Sequence, residues 1–170
     1  MKLHLGCGKT HLDGYVNIDL QKLDSVDVVE DISQLHYKEN SVDEIIASHC
    51  LEHFLIDKVP GVLKSWYKIL KAGGKLLIAV PDIEMIFKAA LLIGLDKWVE
   101  EMLYGGQKDK YSFHYSCFDY KRLSKLLTET GFKKVKRVDS FGIGGCSGLF
   151  LTCDQTPLNI RVSLNIIASK

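Results

Sequence analysis

The chain has 170 residues, 46% of them hydrophobic and 25% charged, with a formal net charge of +1. A length of that order suits one domain able to bury roughly two-thirds of its unfolded surface, and residues 1–170 are read as a single domain. So small a net charge gives no ground for nucleic acid or a membrane surface as a partner, and the longest apolar run, Ala89 to Leu95, is far too short to span a bilayer.

The first element is Leu3-His4-Leu5, an alternating strand that runs into Gly6-Cys7-Gly8. Two glycines one residue apart end a strand where the backbone must turn sharply and pass close to something. A second run, Val16-Asn17-Ile18-Asp19-Leu20, carries a carboxylate near its end. In a parallel sheet these two strand ends face one crevice, because ligands bind beyond the carboxyl ends of the strands. Bare backbone beside an acid able to take two ribose hydroxyls describes a nucleoside site. Val26 to Ile32 reads as a third strand, with Glu30 and Asp31 near its end. Only seven residues separate Gly8 from Val16, and five separate Leu20 from Val26. A parallel crossover usually needs a dozen or more, so these early crossovers are expected to have lost their helices.

Ser41 to Ser48 is the fourth strand and leads into His49-Cys50-Leu51-Glu52-His53-Phe54. A helix is expected from Pro60 to Ala72, with Val62, Leu63, Trp66, Ile69 and Leu70 on one face and Gly73-Gly74 as its stop. Lys75 to Val80 is a continuous apolar run, the pattern of a strand covered on both faces, ended by Pro81. Ile83 to Leu103 reads as one helical stretch packed on the sheet. Tyr104 to Phe118 reads as a mobile loop with a Gly105-Gly106 hinge, whose Tyr104, Gln107, Tyr111, Phe113, His114 and Tyr115 suit a partly aromatic or sugar-like acceptor. Asp119 caps a helix that Gly131 ends. Val135–Val138 and Val162–Ala168 are the last strands, with a glycine-rich loop from Gly142 to Gly148 and an irregular segment through Arg161 between them. The basic run Lys133 to Arg137 fits the wet side of an edge strand. The five cysteines, Cys7, Cys50, Cys117, Cys146 and Cys153, are odd in number and form no CxxC pair. They read as reduced thiols of a cytoplasmic protein without a signal peptide.

Taken in order, Leu-His-Leu-Gly-Cys-Gly, Asp19, Asp31-Ile32, "ASHCLEHF" and "ILKAGGKLLIAVPD" resemble a class I S-adenosylmethionine-dependent methyltransferase, more narrowly the small type-11-like members. The resemblance covers residues 3 to 140. It implies an α/β, Rossmann-like fold: a mostly parallel seven-stranded sheet with a C-terminal antiparallel hairpin and shortened early crossovers. It also implies S-adenosylmethionine as cofactor. Gly6, Cys7 and Gly8 would lie along its methionine and ribose, with Leu5 and Leu20 beside them. Asp19 would take the ribose hydroxyls, Asp31 and Ile32 would flank the adenine, and Ser48 and His49 would face the sulfonium. His4 stands where relatives often carry an acid, and Lys9-Thr10 follows Gly8 in place of a third glycine. Those departures motivate an alternative, a non-catalytic binding or regulatory subunit. A nicotinamide dehydrogenase is disfavoured by spacing: its third glycine would fall at His11, and Asp19 comes only 13 residues after Gly6 instead of about 20.

Methyl transfer to a hydroxyl or amine needs a base for the departing proton. His49, His114 and His53 are the candidates, since imidazole titrates near neutrality. His49, Glu52 and His53 stand at i, i+3 and i+4 and would converge on a helix. H-x-x-E-H serves some metalloproteases, and methyltransferases of quinone and small-RNA pathways carry a related E-x-x-E-H with a later histidine. The same pair also recurs in relatives without a metal, so no metal is expected here. The acceptor is expected to be a small or glycan-like molecule.

Overall fold

The computed structural model describes residues 1–143 and 162–170. Seven strands form one sheet: β1 (Lys2–Leu5), β2 (Val16–Asp19), β3 (Val28–Val29), β4 (Val42–Ser48), β5 (Leu70–Pro81), β6 (Lys133–Val138) and β7 (Ser163–Ser169). Their spatial order is β3-β2-β1-β4-β5-β7-β6. β1 pairs in parallel with both β2 and β4, β2 with β3, and β4 with β5; β7 runs antiparallel between β5 and β6. This is the mixed sheet expected, with β6 as the basic edge strand. From β1 the chain steps outward to β2 and β3, then returns to the other side of β1 for β4. The reversal opens a crevice at the strand tips between β1 and β4.

The alternation of side chains along the strands divides the core by face. Leu3, Leu5, Ile45, Ala47, Leu76, Ile78, Val80, Leu164, Ile166 and Ala168 point to one face and join the main cluster. That cluster is completed by Val59, Val62, Leu63, Trp66 and Ile69 of α1 (Val59–Ile69) and by Leu123 and Leu127 of α4 (Tyr120–Thr130). The opposite face carries a smaller cluster of Ile46, Leu77 and Leu12, packed by Tyr15, Phe141, Ile143 and Ile167. No helix lies between β1 and β2 or between β2 and β3, so loop residues such as Leu12 and Tyr15 do the covering there.

Those loops are held by one buried side chain, Asn17 of β2. Its Oδ1 accepts from Leu12 N (2.8 Å) and from His4 Nδ1 (2.9 Å), and its Nδ2 donates to Leu12 O (3.2 Å), Tyr15 O (3.2 Å) and Asp27 Oδ2 (2.9 Å). One amide thereby ties β1, the β1–β2 loop and the β2–β3 loop together. Burial pushes the His4 imidazole below its ordinary range, so the ring is neutral and serves as a structural donor.

Three expected boundaries differ. The third strand is only Val28–Val29, because residues beyond Val29 turn away: His36 N and its ring bond Glu30, and Ser33 N bonds Asp31. Gly73-Gly74 do not stop a helix. α1 ends at Ile69 and β5 begins at once, with Leu70 opposite Val42 and Lys75 opposite Glu44. The extra residues bulge out between these pairs, and Gly73 at φ +78° makes the bulge. Pro81 is the last residue of β5, opposite Ser163, and ends the strand as expected. Ile83 to Leu103 is two helices, α2 (Ile83–Ile93) and α3 (Lys97–Tyr104), broken at Gly94 (φ +81°) and restarted by the Asp96 cap on Val99 N. They pack around Ile86, Val99 and Val162 as a satellite cluster, leaving Phe87, Leu91, Leu92 and Leu95 exposed. Asp119 and Gly131 bound α4 as expected: Asp119 Oδ1 accepts from Arg122 N, and Gly131 is left-handed at φ +115°. Cys7, Cys50 and Cys117 are free thiols. Residues 144–161, where most of the expected glycine-rich loop and irregular segment fall, with Cys146 and Cys153, lie outside the described residues. Among those described, no helix is long and apolar enough to cross a membrane.

Candidate functional site

The crevice at the strand tips is a cleft of about 280 Å3. Gly6, Asp19, Leu20, Gln21, Ile32, His49, Cys50, His53 and Phe54 line it, with Lys110, Tyr111 and Tyr115 reaching it from the segment after α3. β1 supplies the glycine turn and the parallel β2 brings Asp19 to the same rim, as the order of motifs predicts.

Gly6 is at φ +62°, and a Cβ built on it would stand 2.7 Å from Cys50 Cβ. Only glycine fits, on both conformational and packing grounds. Gly8 is also left-handed at φ +52°, but a Cβ there would meet nothing within 4 Å. Its N–H donates to Asp19 Oδ2 (2.9 Å), and its carbonyl accepts from the Ser25 hydroxyl (2.5 Å). Asp19 Oδ1 accepts from Gln21 N (2.9 Å). Each carboxylate oxygen thus takes one main-chain donor, which fixes the group and leaves lone-pair capacity on both oxygens for ligand hydroxyls. Ile32 forms part of the cleft wall, and Trp66 Nε1 donates to its carbonyl (2.7 Å) from the core.

The remaining expected cofactor residues surround the cleft without lining it. Leu5 is in the core. Cys7 is buried; burial first and Asp19 second push its thiol up to about 12, so it is no nucleophile. Asp31 is exposed and caps Ser33 N (2.8 Å). Ser48 is buried at the end of β4.

His49 follows β4 in the left-handed region at φ +52°, a conformation that costs about 1 kcal/mol or more outside glycine and clusters at functional sites. Its N–H bonds Ala79 O (2.8 Å), and its Nε2 lies 3.1 Å from Ser163 Oγ. Ser163 gives its own proton to Asn165 Oδ1 (3.0 Å), whose Nδ2 donates to Asp139 O (3.0 Å). The hydroxyl therefore accepts from His49, and Nε2 carries the hydrogen. His49 Nδ1 stands 3.3 Å from Glu52 Oε1.

The segment that follows is a single 3-10 turn, Leu51–His53, so His49 lies before the helical residues instead of sharing one helix face with Glu52 and His53. The grouping arises by another route. Glu52 O accepts from Tyr115 N (2.9 Å) and Ser116 N (3.2 Å), His53 Nδ1 donates to Phe113 O (2.8 Å), and His114 Nδ1 donates to Met102 O (3.1 Å). These bonds fasten residues 104–118 onto the turn and bring the His53 and His114 rings edge to face, 4.9 Å apart. Gly105 is no free hinge: a Cβ there would fall 1.9 Å from Ser112 O. Burial pushes the Glu52 carboxyl up, but His49 and His53 more than offset this and leave it below the ordinary carboxylate range. Burial lowers the His114 imidazole, with Glu52 opposing and His53 adding. Lys110, Ser163 and Asn165 escape sequence reasoning, since nothing local marks contacts across so many residues.

Residues 13–78 match the family described as a methyltransferase domain. A crystal structure of an S-adenosylmethionine-dependent methyltransferase from Archaeoglobus fulgidus is similar in fold, with a TM-score of 0.65 and 16% identity over 99% of this chain and 85% of that one. So is the Burkholderia thailandensis 1,6-didemethyltoxoflavin-N1-methyltransferase, crystallised with 1,6-didemethyltoxoflavin and S-adenosylhomocysteine, at 0.63 and 18% over 99% and 70% of the two chains. A methyltransferase from Methanosarcina mazei gives 0.61 and 19% over 99% and 91%. At these identities the likeness is one of fold. No curated protein matches the chain in sequence.

Proposed function

We propose that this chain is a class I S-adenosylmethionine-dependent methyltransferase that moves the sulfonium methyl group to an oxygen or nitrogen of a small-molecule or glycan-like acceptor, a reading supported by the family match over residues 13–78 and by the shared fold. The observation that carries the reading is the pairing of Gly6 with Asp19 at one rim. Bare backbone stands beside a carboxylate already aligned by Gly8 N–H and still able to accept. Gly6 and Gly8 would hold the donor's ribose and methionine portion, Asp19 the ribose hydroxyls, and Ile32 one side of the adenine. The donor supplies an activated methyl on a positively charged sulfur. The Burkholderia relative binds S-adenosylhomocysteine, in keeping with the same cofactor here.

The protein's own contribution is position, exclusion of water and disposal of a proton. Tyr111 and Tyr115 flank the cleft and suit the flat face of an aromatic or sugar-like acceptor. Orienting an acceptor in line with the S–CH3 bond can supply several kcal/mol of the barrier. The acceptor's proton leaves toward the histidines. His53 and His114 commit Nδ1 to main-chain carbonyls and so keep Nε2 for it. His49, with Nε2 given to Ser163, orders the end of β4 beneath them. The non-catalytic alternative drew on His4, and the Asn17 bond gives His4 a structural reason for its place.

Calorimetric titration with S-adenosylhomocysteine tests the reading. Micromolar binding in the parent chain, lost in Asp19→Ala with the fold intact, supports it. Absence of binding at millimolar concentration removes it.

A further inference from the structure

The mouth of the cleft carries a charge that the adenosine end does not use. Among the lining residues, histidines aside, Asp19 and Lys110 are the two with full charges. Asp19 is the group proposed to take the ribose hydroxyls, and its oxygens are already aligned by Gly8 N–H and Gln21 N–H. Lys110 has no carboxylate partner among the described residues; its Nζ lies over the Tyr111 ring, 4.8 Å from the centroid. Lys2, Lys68, Lys71, Lys97 and Lys125, by contrast, each stand 2.7–3.9 Å from an acid.

The local chain holds Lys110 there and occupies the acid beside it. Asp109 Oδ1 accepts from Tyr111 N (2.8 Å), and Ser112 Oγ accepts from Lys108 N (2.9 Å) and Asp109 N (3.0 Å). The turn is thereby closed on itself. Tyr115 N and Ser116 N, both bonded to Glu52 O, tie the segment that follows to the turn after β4. An ammonium has three donors. An aromatic face attracts the charge but offers no oxygen to those donors, so they remain for a ligand.

This arrangement sorts ligands by charge. A neutral acceptor lying against Tyr111 and Tyr115 would cover an unpaired ammonium and strip its water, which costs free energy. A basic acceptor would meet like charge. An anionic oxygen group replaces the lost water with a charge-assisted hydrogen bond, stronger than a neutral one.

We propose that Lys110 selects an anionic acceptor: a hydroxylated ring compound whose carboxylate or phosphate binds the Lys110 ammonium while its ring lies against Tyr111 and Tyr115. The cation at the cleft mouth stands on its own geometry; that the anion belongs to a methyl acceptor rests on the methyl-transfer reading. The donor's methionine portion carries a carboxylate too, but its proposed place is over Gly6 to Gly8.

The full-length chain, with S-adenosylhomocysteine in excess, is titrated calorimetrically with para-hydroxybenzoate and with glucuronate, each beside its uncharged counterpart, para-hydroxybenzamide or glucose. The expected result is that at least one acid binds tenfold or more tighter than its counterpart. Lys110→Met, which keeps the apolar stem, abolishes that preference, Lys110→Arg keeps it, and both hold S-adenosylhomocysteine within about threefold of the parent. Lys110 is exposed, so both variants are expected to fold; thermal melts check this, and Lys110→Gln stands in should Lys110→Met fail. No preference for an acid in the parent, or one that survives Lys110→Met, overturns the proposal. A tenfold or greater loss of S-adenosylhomocysteine affinity in Lys110→Met gives the ammonium to the donor's carboxylate and overturns it as well. A parent chain that prefers the acid yet does not bind S-adenosylhomocysteine keeps the anion site and overturns the methyl-transfer reading instead.

Discussion

Replacing Gly6 with alanine tests whether the turn after β1 is fixed by packing as well as by conformation. The residue sits at φ +62°, where an L side chain costs about 1–2 kcal/mol. The added Cβ would also lie 2.7 Å from Cys50 Cβ, 3.4 Å from its Sγ and 3.7 Å from Ile32 Cδ1. Cys50 is buried at the end of β4 and cannot swing away, so overpacking adds about 1–3 kcal/mol. The total is about 2–5 kcal/mol. In a domain of this size each kcal/mol lowers the melting temperature by about 2–4 °C, so Gly6→Ala should melt roughly 5–15 °C below the parent. Gly8→Ala is the internal control. It shares the left-handed backbone, at φ +52°, but its Cβ meets nothing within 4 Å, leaving only the conformational cost of about 1–2 kcal/mol. Thermal melts and urea titrations of both variants measure the difference. Equal losses, or a Gly6→Ala melt within a degree of the parent, would refute the packing argument.

Asn17→Ala should cost about 2–4 kcal/mol in urea unfolding, because it strips partners from buried Leu12 N and His4 Nδ1 at once. His4 gives a pH signature. Burial lowers its folded pKa below the ordinary 6.5, so its contribution to stability is complete above pH 6.5 and falls away as pH drops toward the folded value. His4→Gln keeps a donor without a titrating ring, and its melting temperature should decline less than the parent's between pH 7 and 5. Trp66→Phe leaves Ile32 O without its 2.7 Å donor; a loss of about 1–3 kcal/mol is expected in melts, with weaker S-adenosylhomocysteine binding as the cleft wall loosens.

Much of this molecule is legible in local chemistry. Glycines at φ +62° and +52° after an alternating strand, and an acid at the next strand's tip, mark the rim because both signals lie within a few residues. Asp119 and Gly131 mark α4 for the same reason: a cap and a left-handed stop act on their own turn. What is hidden depends on partners distant in sequence. Gly73-Gly74 look like a helix stop until Leu70 is seen opposite Val42, which turns them into a bulge. The run from Ile83 to Leu103 carries apolar residues on more than one side, so its division at Gly94 follows from Asp96 capping α3 and from Val162 packing against Ile86 and Val99. The histidine cluster is half legible. The spacing of His49, Glu52 and His53 suggested convergence on a helix, yet the grouping depends on carbonyls of Phe113 and Met102, and His49 is oriented by Ser163, 114 residues away.

A co-crystal with S-adenosylhomocysteine tests the central claim most directly. The account predicts both ribose hydroxyls within hydrogen-bond distance of Asp19, ribose and methionine over the main chain of Gly6 to Gly8, and the sulfur turned toward His49 and His53. A ligand bound elsewhere, or one that leaves Asp19 holding only Gly8 N–H and Gln21 N–H, would contradict it.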